Sequence, residues 1–144
     1  MLRLVLTIAA VTAAGVTAAP LPAFALSDVA SELVAQEVKA ACGGGPGRYD
    51  PAFVVERDLD GDGMADLVVA HEGIECASAP RSAECGEVLC RIRVWLRRGA
   101  RFTPALGDAS GYDMTIGQGP TPEIRWVGEG GVPTTIRWDG EAFH

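Results

Sequence analysis

The chain has 144 residues, with 12 basic against 19 acidic side chains and a formal net charge of −7 at neutral pH. Once a leader is set aside, that length holds one domain and not two. The acidic balance argues against a nucleic-acid binder, whose affinity rests on clustered Lys and Arg meeting phosphates.

Residues 1–25 read as a secretory signal peptide. Arg3 gives a short basic start, Leu4 to Ala19 is apolar or small, and Pro20 and Pro22 precede Ala23-Phe24-Ala25, an A-x-A cleavage pattern. A membrane anchor is the competing reading, but the prolines and small residues cut the apolar run below the roughly 20 residues a span needs. No Cys follows the cleavage pattern to carry a lipid. The expectation is a secreted or periplasmic protein with no stable membrane span after cleavage, and a single domain over residues 26–144 that grows more acidic on losing Arg3.

Ser27 or Asp28 can cap a helix whose apolar positions Val29, Leu33, Val34, Val38 and Ala41 fall at helical spacing. Gly43-Gly44-Gly45-Pro46-Gly47 stops it at Cys42. That glycine run is not a phosphate loop, since it follows a helix and carries no Gly-Lys-Ser/Thr. Phe53-Val54-Val55 and Leu67-Val68-Val69-Ala70 read as short strands on either side of an acidic loop. His71 to Glu87 is polar and long for an unstructured connection.

Cys90 to Arg97 alternates strictly, with Cys90, Ile92, Val94 and Leu96 on one face and Arg91, Arg93, Trp95 and Arg97 on the other. Arg98 and Arg101 extend the basic face, which is expected to be solvated with arginine stems over Trp95; an anion or partner site is the alternative. Phe102, Tyr112–Ile116, Glu123–Val127 and Val132–Trp138 are further strand candidates. Ile124-Arg125-Trp126-Val127-Gly128-Glu129 is echoed by Ile136-Arg137-Trp138-Asp139-Gly140-Glu141, twelve residues later. That period fits a hairpin through Gly128–Gly131 and a second turn at Asp139-Gly140 better than a repeat architecture. The fold class expected is α+β: an N-terminal helix packed on a mainly antiparallel sheet of five to seven strands, stapled by two disulfides.

Four cysteines, Cys42, Cys76, Cys85 and Cys90, in a short exported chain imply two bridges with three possible pairings. A metal site is the weaker reading, because there is no C-x-x-C pair and only His71 and His144 could assist. The close pair Cys85 and Cys90, with Gly86 to permit a tight turn, is the first bridge, leaving Cys42 with Cys76. The second would close a long loop across the acidic stretch and contribute ~3 kcal/mol.

The densest chemistry lies in Asp58-Leu59-Asp60-Gly61-Asp62-Gly63-Met64-Ala65-Asp66. Calcium takes about 6–8 oxygen ligands. Asp58, Asp60 and Asp62 supply loop positions one, three and five, and Gly63 fills the sixth, where the backbone must turn sharply. The Met64 carbonyl and Asp66 follow as the seventh- and ninth-position ligands. The twelfth position is Val69 and not a bidentate Glu, so a helical calcium hand is the wrong template. Magnesium fits less well, because it dehydrates reluctantly. The plain alternative is a metal-free turn rich in Asp and Gly, against which stands the repulsion among four carboxylates with no counter-charge.

From Asp58 to Val69 the stretch resembles the calcium loop of FG-GAP and VCBS repeats, in which the loop joins two strands of a propeller blade. The resemblance implies that Asp58, Asp60, Asp62, the Met64 carbonyl and Asp66 hold Ca2+. It covers the loop alone: a propeller needs several four-stranded blades, and this chain has one such loop and too few residues. With Cys85-Gly86 and Cys90 and the closing Trp138-Asp139-Gly140, the chain also resembles small exported bacterial proteins, a likeness that brings no activity with it. Nearly all the implied ligands come from protein, so the calcium reads as a structural clip with no open position for substrate.

No catalytic constellation stands out. Gly107-Asp108-Ala109-Ser110-Gly111 is not a G-x-S-x-G elbow, and His71, expected at the surface, and His144 are the only imidazoles. The leading reading is a calcium-binding, disulfide-stabilised exported domain that binds an unknown protein or serves as an envelope accessory. An inhibitor of an extracellular hydrolase, or a hydrolase using Ser110 and His71, are the alternatives.

Overall fold

Ser27 accepts a hydrogen bond from the Ala30 N–H at 3.3 Å and so caps α1, Asp28–Ala41. Asp28 in the first turn and Lys39 in the last complement the helix dipole. Ala30, Val34, Val38 and Ala41 form the buried stripe. Gly43 and Gly44, at φ +63° and +87°, take the left-handed conformation that ends the helix. The computed structural model describes residues 25–144, so the expected signal peptide lies outside the described residues. Within the full chain the helix is therefore internal. It stands at an N-terminus only if the residues before Leu26 are removed.

Nine strands follow: β1 Gly47–Tyr49, β2 Val54–Arg57, β3 Asp66–Ala70, β4 Ile74–Cys76, β5 Cys90–Arg98, β6 Arg101–Pro104, β7 Ala109–Ile116, β8 Ile124–Val127 and β9 Pro133–Ile136. Seven of them form an antiparallel sheet in the order β2-β3-β5-β7-β8-β9, with β6 pairing the second half of β5. β1 and β4 make a separate ribbon. That ribbon was not expected from the sequence. Its residues are mostly exposed and lack a period; the Cys42–Cys76 bridge and the Arg48–Glu75 ion pair hold it instead.

The helix lies on one face of the sheet. There Ala30, Val34 and Val38 pack with Leu67, Val69, Ile74 and Trp95. The opposite face gathers Val68, Ile92, Val94, Leu96, Met114, Ile124 and Trp126, closed by Leu59 and Phe143. β3 is thus buried on both sides, which is why it reads as an unbroken apolar run rather than an alternation. The β8–β9 hairpin and the turn at Asp139 form as expected: Trp138 bridges to Phe143, and the two rings meet edge-on at 5.2 Å.

Both disulfides are present, Cys42–Cys76 and Cys85–Cys90. Among the described residues no helix is long and apolar enough to cross a membrane. Disulfides are consistent with an oxidising compartment outside the cytosol.

Candidate metal centre

The acidic loop joins β2 to β3, which pair antiparallel with Arg57 opposite Asp66. Gly61 and Gly63 sit at φ +81° and +85°, a conformation that side chains disfavour, and the backbone can curl only because both are glycine. Asp58 accepts the N–H groups of Gly61 at 2.7 Å and Gly63 at 2.9 Å. Asp60 accepts from Asp62 at 3.1 Å, and Asp62 from Met64 at 2.8 Å.

Asp66 is fully buried. It accepts from the Leu59 N–H at 2.8 Å and from the Arg97 N–H at 2.7 Å, tying the loop to the end of β5. Burial pushes its carboxyl above the ordinary 3.8; the two backbone donors pull it back, and the charges of Asp60 and Asp62 raise it further.

One carboxylate oxygen each from Asp58, Asp60 and Asp66 lies within 4.8 Å of the others. Three of the expected ligands are therefore brought together. Asp62 stands apart from that trio and turns one oxygen toward Arg98. Met64, the expected carbonyl ligand, is half-buried beside it.

Arg98 is the component that spacing alone does not show. Its guanidinium lies 2.8 Å from Asp60 and 3.3 Å from Asp62, so the loop has a protein counter-charge of its own. The signal was in the register. With Leu67 opposite Trp95, the end of β5 must run against the loop that precedes β3.

Arg91, Arg93 and Arg97 are also engaged and not simply solvated, contrary to expectation, whereas Arg101 is exposed. Arg91 pairs with Asp108 and Glu84, Arg93 with Glu37 and Glu84, and Arg97 with Glu56. Trp95 lies among them beneath the helix.

His71 is not a surface histidine; it is 1 % exposed. Nδ1 is 2.9 Å from the Ser82 hydroxyl and Nε2 is 3.2 Å from Glu37. These are the residue types of an acid–histidine–serine relay, but Ser82 is itself 3 % exposed, so the trio is closed to a substrate. Ser82 also accepts from the Glu84 N–H at 3.0 Å, so the trio pins the Ala77–Leu89 stretch against the helix and the turn that follows β3. Ser110, the other half of the expected pair, faces Arg91 across β5 and β7 and has no contact with His71.

No family model matches the chain, and neither curated proteins nor solved structures yield a match.

Proposed function

We propose that this is an exported, calcium-binding, disulfide-stabilised domain that acts as a binding or envelope accessory protein, with calcium serving mainly as a structural clip between β2 and β3. The observation that carries the reading is the convergence of Asp58, Asp60 and Asp66 at the mouth of two core strands. Calcium is a hard ion suited to such an all-oxygen set, and Asp62, the Met64 carbonyl or water would complete its shell. The resemblance of the loop to FG-GAP and VCBS calcium loops supports the same ion. Asp66 is fully buried and held by the Leu59 and Arg97 N–H groups, which supports a stabilising role over turnover.

The test is isothermal titration of the oxidised, chelator-treated protein with calcium, paired with thermal melting. Saturable binding at one site and a melting temperature that rises with calcium support the reading. Titration to millimolar calcium without heat or stabilisation would remove the metal from it.

A further inference from the structure

We propose that Cys85–Cys90 is a thiol–disulfide exchange site, opened by a dithiol reductant, at which Arg81 holds the leaving thiolate of Cys90. The two sulfurs stand in different surroundings. Cys85 is half-buried, its sulfur 3.6 Å from the His71 carbonyl and beside the exposed turn residues Gly86, Glu87 and Val88, whereas Cys90 is fully buried at the start of β5. One terminal nitrogen of Arg81 lies 3.3 Å from Cys90 Sγ. The other donates to the Gly86 and Glu87 carbonyls at 3.0 and 2.8 Å, which fixes the guanidinium over the buried sulfur. A fixed cation beside one sulfur stabilises the thiolate form and makes that sulfur the better leaving group. Access and leaving-group stability therefore select the same direction of attack.

The chemistry balances without any further reactant. A thiolate of the dithiol attacks Cys85 Sγ; the new S–S bond to Cys85 forms as the Cys85–Cys90 bond breaks, and its electron pair passes to Cys90 beside Arg81. The second thiolate of the reductant then attacks its own sulfur in the mixed disulfide and expels the Cys85 sulfur, which takes a proton from water. The protein gains two electrons and the dithiol becomes a cyclic disulfide. Of the dithiol's two protons, one ends on Cys85 and one in solvent while Cys90 remains a thiolate.

The fold tolerates this opening. The bridge spans a sequence separation of only 5, the Gly86 N–H donates to the Leu89 carbonyl at 2.8 Å, and a strand-type bridge joins residues 85 and 90 independently of the sulfurs. The Cys42–Cys76 bridge differs. Cys76 is half-buried and faces the Ala41 carbonyl at 3.7 Å much as Cys85 faces that of His71, but this bridge spans a separation of 34, joins the helix end to β4 within the helix-side core, and among the described residues has no guanidinium on either sulfur.

The experiment is limited reduction of the oxidised protein with dithiothreitol in the absence of denaturant, quenched with iodoacetamide and read by peptide mapping. Near-ultraviolet circular dichroism of the buried tryptophans follows the fold. Cys85 and Cys90 should be alkylated about tenfold faster than Cys42 and Cys76 while the tryptophan signal persists. Arg81→Gln should slow that opening about threefold, and Arg81→Lys, which keeps the charge, should restore it. Opening of Cys42–Cys76 first, loss of the tryptophan signal in step with Cys85–Cys90 reduction, or equal rates in the Gln and Lys variants would overturn the proposal.

Discussion

Arg98 reaches Asp60 and Asp62 through its two terminal nitrogens, and that contact alters what the acidic loop needs from a metal. Folding the four aspartates without any cation would be costly, but the guanidinium already offsets part of their repulsion. Calcium entering the loop must then share Asp60 and Asp62 with it. Removing the charge should have opposite effects on the two states: Arg98→Gln should lower the melting temperature of the chelated protein yet bind calcium about threefold to tenfold more tightly, since Arg98 is half-exposed and its field is partly screened. Titration calorimetry of the variant checks this, and an unchanged affinity would show that Arg98 and the ion do not compete. Asp66 adds a pH dependence. Its carboxyl is raised by burial, so its contribution to stability is full below the ordinary carboxylate value and is lost as pH rises through the raised folded value. Calcium requires the ionised form and should reverse that loss. Melting curves taken from about pH 4 to pH 7 should show a calcium increment that grows with pH; a flat increment would separate Asp66 from the ion.

At the scale of elements, close approach matters as much as apolar content. Gly111 on β7 faces Trp126 on β8 so tightly that an added Cβ would lie 2.2 Å from the indole Cδ1 and 2.6 Å from the Val127 carbonyl. Gly111→Ala should therefore overpack that strand pair and cost about 1–3 kcal/mol, read as a lower urea midpoint with an unchanged slope. A variant as stable as the parent would mean that β8 can shift freely. This close contact also shows what the sequence could and could not reveal. The helix, β3 and β5 were legible because long apolar periods and the Gly43–Gly47 breaker are local signals. β1 and β4 were not, because so short a strand, with β1 wholly exposed and only Ile74 of β4 buried, forms only when a distant partner is brought to it. The burial of His71 was hidden for the same reason, since Glu37 and Ser82 lie 34 and 11 residues away in the chain.

Across the whole molecule the two disulfides divide the labour unequally. A cross-link acts largely by removing freedom from the unfolded chain, and its effect grows with the logarithm of the loop it closes. Cys42–Cys76 encloses the acidic loop, β2 and β3, and ties the helix end to the β4 ribbon; Cys85–Cys90 closes a turn that backbone hydrogen bonds already shape. For separations of 34 and 5, loop closure puts the cost of replacing both cysteines of a bridge by serine at about 4 kcal/mol for Cys42–Cys76, above the ~3 kcal/mol expected from the sequence, and at about 2 kcal/mol for Cys85–Cys90. Against a typical total stability of about 5–15 kcal/mol, the first loss threatens the fold and the second leaves it standing. Denaturant titration of the two double-serine variants measures the difference directly. The proposed calcium clip would act differently, because an ion that binds the folded loop stabilises it by mass action and leaves the unfolded chain unchanged. In both double-serine variants calcium should therefore add the parent's increment of stability, read by repeating the titration with and without the ion. Equal losses in the two variants would show that native-state packing around the sulfurs, and not loop closure, sets what each bridge contributes.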